Sequence, residues 1–417
     1  MAGALALDAA AEQARTGALA GRRVLVIVEN LPVPFDRRVW QEARALTAAG
    51  ALVSVICPTG PGCEAAFETL EGIDIHRHRL PRETEGALGY LREYAVALLA
   101  QTWLAWKIFF GRGFDTIHAC NPPDLIALVA VPFKLLGCRF VFDHHDLGPE
   151  LYEAKYGRRG VFWQLLRWFE RLTFALADVS IATNESYRRV AIVRGGMPES
   201  RVFVVRSGPD LDRLRQVSPD PRHRRGRRFL VGYVGVMGQQ EGIDLLLAAA
   251  HRVVHGLHRE DVQFCLVGSG PSLDAMRRRA DALGLSDHVA FLGRVPDATL
   301  LEVLSTADVC VNPDRGTALN DLSTMNKVLE YMALGRPIVQ FESTEGRVSA
   351  GAASLYARRD DPEDLADKIL ALLDDAALRV EMGRVGRTRI EDGLAWRHQV
   401  PALIAAYRAA PSRRRSR

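Results

Sequence analysis

The chain has 417 residues, 48% of them hydrophobic and 25% charged. That length suits two domains rather than one core, and the composition excludes wholesale disorder. A net charge of +4 fits anionic substrates or an anionic membrane face, and is too weak to argue for nucleic acid.

The first 21 residues are Ala-rich, carry Asp8 and Glu12, and lack the basic start and long apolar core of a secretory leader; they read as a disordered arm. From Arg22, strands and helices alternate. Residues 22–30 (RRVLVIVEN) form the continuous apolar run of a parallel strand covered on both faces. A helix over Asp36–Gly50 follows, with Gly50 as its stop, then a strand over 51–58. Further strands are expected at Ile73–His78, Thr116–Asn121, Arg139–His144, Val179–Thr183 and Val202–Arg206. Together they make one doubly wound α/β domain over 22–208. Tyr94–Phe110 is apolar, but Gln101 and Lys107 interrupt it, so it reads as a buried or interfacial helix.

Residues 209–228 are polar and proline-punctuated and end in clustered arginines, the composition of a linker. The alternation then restarts with FLVGYVGVM, VQFCLVGSG, HVAFLG, DVCVNP and PIVQFES as strands. A second domain is expected over 229–393, with a C-terminal helix and basic tail over 394–417. The expected class is α/β, two Rossmann-like doubly wound parallel-sheet domains facing across a cleft. Ligands would sit there, at the carboxyl ends of the strands. Six scattered cysteines without CxxC spacing suggest reduced thiols of a cytosolic protein.

Residues 323–337 (STMNKVLEYMALGRP) read as one complete helix. Ser323 is a natural N-cap for Thr324, Met325 and Asn326, Gly335 a natural C′ residue, and Pro337 a stop. A helix start attracts anions. Lys327 lies one turn in, and Glu330 a further turn along the same face, where a carboxylate can accept from vicinal sugar hydroxyls. Together they describe a nucleotide-sugar pocket. The GxGxxG fingerprint is absent after the first strand, and no GxxxxGK[ST] or GxSxG occurs, which argues against a dehydrogenase. Residues 142–150 (FDHHDLGPE) mass titratable groups at a strand's carboxyl end, a site signal. Adjacent histidines on a strand point to opposite sides, so no metal ligands are expected there. His118, on the neighbouring strand, reads as a packed residue.

NLPVPFDRRVWQEARALTAAGALVSVICP, DHHDLGPELY and KVLEYMALGRPIV, with the paired domains, resemble retaining glycosyltransferases of family 4, with the GT-B fold. The closest resemblance is to the bacterial branch that builds capsule, exopolysaccharide or O-antigen units, and it runs from about Arg22 to Tyr407. The resemblance implies a UDP- or GDP-linked sugar donor. Glu330 matches the second glutamate of an E-x7-E motif and would bind the donor ribose. Backbone amides at Ser323–Asn326, with Lys327, would hold the diphosphate, and Gly293-Arg294-Val295 would border the base. Gly235 and Gly268 fall on the donor side; Asn30, Arg37, Arg38 and Asp146 fall on the acceptor side. His145 would contact the transferred sugar or its developing charge, so His145, Lys327 and Glu330 are the catalytic candidates.

The implied chemistry needs neither a metal nor a cofactor. The implied acceptor is a polyprenyl-linked glycan, at the inner face of the plasma membrane. Residues 158–174, with Trp163, Trp168, Phe169 and several arginines, suit a helix lying on an anionic membrane as well as an ordinary core helix.

The chain also departs from the family pattern. Leu322 stands where the first glutamate of E-x7-E belongs, so any sugar contact falls to Asp321 or Ser323. Val236 and Glu241 stand where an arginine and a lysine would meet the diphosphate. Lys327, Arg315 and Arg347 are the nearest substitutes. Two rival readings stay open: a nucleotide-sugar epimerase of the same architecture, and a catalytically weak binding or assembly subunit.

Overall fold

The computed structural model describes residues 17–80 and 87–410. The chain divides into two compact units, Met1–Arg206 with Gln399–Arg417, and Ser207–His398.

In the first unit, β1 (Arg23–Ile27) leads into α1 (Arg37–Ala48). Asp36 caps this helix by accepting from Val39 N at 3.1 Å, and Gly50 ends it with φ +93°. Then come β2 (Leu52–Pro58), β3 (Phe67–Leu70), β4 (Ile73–His78) and α2 (Ala87–Phe110). β5 (Thr116–Cys120), α3 (Ala127–Leu135), β6 (Arg139–His144), α4 (Gly148–Tyr156) and α5 (Val161–Leu176) follow. β7 (Val179–Ala182), α6 (Glu185–Arg189) and β8 (Val202–Val204) complete the series.

The sheet order is β3-β4-β2-β1-β5-β6-β7-β8. All pairings are parallel except β3 with β4. β3 escapes the sequence reading because its four residues alternate between exposed and half-exposed and form no apolar run. The strand order reverses between β1 and β5, so the loops after them open a crevice at their carboxyl ends.

The N-terminal arm differs from expectation at its described end. Gly17–Gly21 form a turn, Leu19 is buried, and its N–H donates to Ala49 O at 2.8 Å. One leucine with the end of α1 to cover is enough to anchor it. Residues 1–16 lie outside the described residues. The apolar stretch over 94–110 falls in α2, which buries Ala97, Gln101, Leu104, Ala105 and Ile108 and exposes Leu99, Trp103 and Phe110. No helix among the described residues is long and apolar enough to cross a membrane.

The second unit runs β9 (Phe229–Val234), α7 (Ile243–His251), β10 (Val262–Val267), α8 (Leu273–Ala282) and β11 (Val289–Gly293). It continues with α9 (Asp297–Thr306), β12 (Val309–Asn312), α10 (Ala318–Leu322), α11 (Asn326–Ala333) and β13 (Ile338–Phe341). α12 (Thr344–Ala350), β14 (Ser354–Ala357), α13 (Pro362–Asp374) and α14 (Ala376–Arg389) close it. The order β11-β10-β9-β12-β13-β14 is parallel throughout and reverses between β9 and β12.

The segment 209–228, expected as a linker, packs on this unit. Leu214 is in its core, Arg224 pairs with Asp308 at 2.6 Å, and Arg227 Nη1 donates to Gln263 Oε1 at 3.0 Å. Its arginines look solvated in sequence because their partners are far along the chain.

The terminal helix α15 (Trp396–Ala409) joins the first unit from Gln399 onward. Leu403, Ala406 and Tyr407 are buried, and Tyr407 Oη lies 2.7 Å from His118 Nδ1. His118 is fully buried, so losing that partner strands a polar nitrogen. Tyr407→Phe is expected to lower unfolding free energy by about 1–3 kcal/mol, read as a lower urea midpoint at unchanged slope.

Candidate functional site

In the second unit, the loops at the carboxyl ends of β9 and β10 meet backbone on backbone. A Cβ on Gly268 (φ +134°) would lie 1.8 Å from Gly235 O, and one on Gly270 would lie 2.6 Å from Met237 O. Gly242 is as close to Pro313 O, at 2.0 Å, on the far side of the β9–β12 reversal. No side chain fits at these contacts, so glycine is required. Gly235 N donates to Val267 O at 3.0 Å and Gly268 N to Gly293 O at 2.8 Å, tying three successive strand ends together.

α11 begins beside this glycine cradle. Its N-cap is Met325, and no side chain caps it. Ser323 does not play the expected role: it closes the separate short helix α10, and its Oγ donates to Leu319 O at 2.7 Å. Thr317, which caps α10 through Asn320 N, builds a separate helix just ahead of the expected one, so Ser323 falls at the end of α10 and α11 begins only at Asn326. Gly335 does end α11, with φ +61°.

Lys327 reaches the cradle, with its Cε 3.2 Å from where a Gly235 Cβ would be. Its ammonium pairs with Asp314 at 2.5 Å and lies 5.2 Å from the Tyr233 ring centroid. Burial pulls its pKa down, but Asp314, Tyr233 and Glu241 outweigh burial and raise it, so it stays protonated. Glu241 accepts from Gly238 N at 3.1 Å; burial pushes its carboxyl up, with Lys327 opposing. Glu330 accepts from Arg213 Nη2 at 3.0 Å, and Arg213 also reaches Asp297 at 3.1 Å. Arg294 and Asn326 are exposed.

In the first unit, the carboxyl ends of β5 and β6 gather a buried ionic cluster. Asp143 takes both arms of Arg38, at 2.8 and 3.1 Å. Arg38 also donates to Val205 O at 2.8 Å and pairs with Glu42 at 3.1 Å. His145 Nε2 touches Asp143 Oδ2 and lies 2.9 Å from Arg38 Nε. The ring's tautomer decides whether that nitrogen donates to Asp143 or accepts from Arg38. Burial works to raise Asp143, but Arg38, His145 and His118 hold it well below the usual carboxylate range. Glu42 is driven up by burial, against the pull of Arg38.

Asn121 clamps the loop: its Oδ1 accepts from His145 N (2.7 Å) and Asp146 N (3.2 Å), and its Nδ2 donates to Asp124 Oδ1 at 2.9 Å. The two histidines do diverge. His144 is fully buried, whereas His145 keeps 15% of its side chain exposed.

Two groups here, Glu42 with Asp143 and His145, and His118 with Cys120 and Asp143, have metal-like spacing. Both depend on Asp143, whose two oxygens already accept from the Arg38 guanidinium.

The comparisons with known proteins match this architecture. The family model described as "Glycosyltransferase Family 4" matches residues 36–213, and that described as "Glycosyl transferases group 1" matches residues 228–375. D-inositol 3-phosphate glycosyltransferase 1 of Catenulispora acidiphila is 29% identical over 397 residues, covering 89% of this chain and 90% of its own. The sucrose-phosphate synthase structure from Thermosynechococcus elongatus superposes with TM-score 0.77 at 20% identity, over 93% of this chain and 98% of its own. Anabaena HepE, solved in complex with UDP-glucose, gives TM-score 0.69 at 15% identity, over 93% and 99%.

The chain is a family 4-like glycosyltransferase of the GT-B fold.

Within this glycosyltransferase, Gly235, Gly268, Gly293 and Lys327 come together at the second unit's strand ends, and Glu330 lies one turn further along α11. Asp321, offered as a stand-in for the missing glutamate, accepts from Thr344 N (3.0 Å) and Oγ1 (2.9 Å) and pairs with Arg359. Arg315 pairs with Asp244 and Arg347 with Glu342, so both proposed substitute cations already have carboxylate partners.

Asn30 and Arg37 are exposed and Asp146 half-buried, but Arg38, expected on the acceptor side, is a buried strut of the Asp143 cluster. Sequence reasoning missed Asp314, Arg213, Glu42 and Asn121. Asp314 and Asn121 each follow a strand at an order reversal, a signal that was there to use. Arg213 in the docked segment offered none.

Two buried groups in the first unit make its charge states testable. Burial first, then Arg194, drives His144 down to about 3. Below pH 6.5 the unfolded chain therefore binds a proton the fold refuses, and stability falls from there toward pH 3. Asp124 is pushed up to about 8, by burial first and then by Glu170. Its contribution is full below pH 3.8 and is lost as pH rises toward 8. The two oppose each other between pH 3.8 and 6.5, so residue-resolved NMR is the right measurement. The His144 ring should keep neutral-imidazole shifts from pH 7 down to 4.5, and the Asp124 carboxyl should titrate near pH 8.

Proposed function

We propose that the protein transfers a hexosyl or N-acetylhexosaminyl group, with retention, from a UDP- or GDP-linked sugar to a polyprenyl-linked glycan in cell-surface polysaccharide synthesis. The observation that carries the donor half is the glycine cradle at the β9–β12 reversal, with α11 beginning against it. Main chain free of side chains, next to a helix start, suits a diphosphate that must be approached closely. The complex of Anabaena HepE with UDP-glucose supports a uridine donor.

On this reading the anomeric C–O bond to the diphosphate breaks and the acceptor hydroxyl bonds to the same face of the carbon. The hydroxyl proton passes to the leaving phosphate oxygen. Amides at the start of α11 take up the charge that develops there, each preorganised donor contributing about 2.7–4 kcal/mol. Glu330 accepts from the ribose hydroxyls, and His145 meets the transferred sugar. With its Nε2 taken by Asp143 or Arg38, that contact falls to the rest of the ring. The reaction so written asks for no metal.

The acceptor's lipid is supported by α5. Val161, Phe162, Leu165 and Trp168 are exposed along it, and Trp163 lies between Arg159 and Arg167 at 5.3 and 5.1 Å. An apolar stripe flanked by guanidiniums fits the headgroup region of an anionic bilayer. One observation favours a weaker, binding-only role: Asp314 neutralises the lysine nearest the cradle.

Titration with UDP and GDP, followed by transfer to polyprenyl-linked glycans, tests the assignment. Glu330→Gln is expected to weaken nucleotide binding about 10- to 100-fold, the cost of charged-acceptor bonds to ribose. Binding unchanged by that substitution removes Glu330 from the donor site. Activity lost to EDTA and restored by Mn²⁺ contradicts the metal-free route, and binding without turnover on any acceptor favours the assembly role. Phe162→Ala with Trp168→Ala is expected to abolish co-sedimentation with anionic liposomes.

A further inference from the structure

The amino ends of β12 and β13 lie at the opposite edge of the second sheet from the glycine cradle. There Gln216, Asp308, Arg336, Arg379, Arg384 and Arg387 line a hollow of about 440 Å³. Backbone contact fixes its floor: a Cβ on Gly383 of α14 would lie 2.2 Å from Gly335 O, at the turn that ends α11.

Most of the charge around the hollow is already matched. Asp308 pairs with Arg224, Arg384 with Glu381, and Arg387 with Glu391. Arg336 and Arg379 differ. Arg336 Nε donates to Leu334 O and its Nη1 to Ala307 O, both at 3.1 Å. Arg379 Nη1 donates to Leu372 O at 2.6 Å and Leu373 O at 2.5 Å. Among the described residues, neither has a carboxylate partner. Helix-end carbonyls carry only partial negative charge, so two half-buried guanidiniums stand beside a cavity with net positive charge. Arg336 Nη2, and Arg379 Nε and Nη2, are not spent on those carbonyls. Planar guanidinium forks match phosphate oxygens in geometry and charge.

We propose that this hollow is a second ligand site, for a phosphate group carried by a small molecule or free in solution, separate from the nucleotide-sugar pocket. Arg336 and Arg387 also hold the last carbonyls of α11, at Leu334 and Ala333. That helix is eight residues long, and Lys327 lies in its first turn.

Calorimetric titration of the full chain with inorganic phosphate and with glucose 6-phosphate, each with and without saturating UDP, tests the site. Saturable binding that persists in UDP is expected. Arg384→Glu, which reverses one charge at the rim of the hollow, should weaken it about tenfold. That side chain is 63% exposed, so the substitution spares the core; Arg336→Gln should have a similar effect. Tighter binding of glucose 6-phosphate assigns a phosphate monoester, and equal binding assigns the free ion. No saturable binding at millimolar probe, displacement by UDP, or an unchanged Kd in both variants overturns the site. Failure of UDP to bind sinks only the nucleotide-sugar reading, because phosphate binding is scored independently of it.

Discussion

Direct contact between the main chains at Gly235 and Gly268 is the constraint on which the second unit's site rests. Parallel strands deliver their loops to one edge of the sheet, but only glycine lets two such loops touch without a side chain between them. Tyr233 Oη then donates to Val236 O at 2.7 Å, and Lys327 fills the space beside the tyrosine ring. The Lys327–Asp314 pair lies against Tyr233 and Gly235, so it links the segment after β12 to the end of β9. A buried pair adds little net stability once desolvation is counted, whereas breaking it is costly. Its value lies in position.

The first unit uses charge in the same way. Asp143 is completely buried, and Arg38 keeps it ionised by engaging both carboxylate oxygens. Glu42, next to the same guanidinium, is driven toward its neutral form instead, because one cation cannot balance two buried carboxylates. His118 is held neutral by burial and is tied to Tyr407 of the terminal helix. His145, at the edge of this cluster, inherits a fixed orientation from its neighbours. Arg38 is therefore better understood as the strut of this network than as a hand extended to an acceptor.

Features set by local chemistry were legible in the sequence. Asp36 and Gly50 bracket α1 as their residue types require, and β6 runs from Arg139 to His144 as its apolar pattern predicts. Features set by distant partners were not. β3 is an edge strand without a buried face, the 209–228 segment is held by arginines whose carboxylates lie elsewhere, and α15 crosses to the first unit through Tyr407. The same limit applies to the site. Lys327 and the glycines could be found in a window of sequence, but Asp314, 13 residues before the lysine, changes what that lysine can do.

The departures from the family pattern then acquire a common physical meaning. Val236 and Glu241 stand where the resemblance would place an arginine and a lysine, and Asp314 balances the lysine that remains nearby. Burial eases the second change by favouring the neutral form of Glu241. Leu322 stands where the resemblance would place a glutamate, and Asp321 is held by Thr344 and Arg359. On the proposed reading, a diphosphate in such a pocket would draw its stabilisation chiefly from main-chain N–H groups and the start of α11. Those dipoles are fixed by the fold, and no neighbouring carboxylate can titrate them away. A pocket built on them loses little when side-chain cations are replaced, provided its glycines stay.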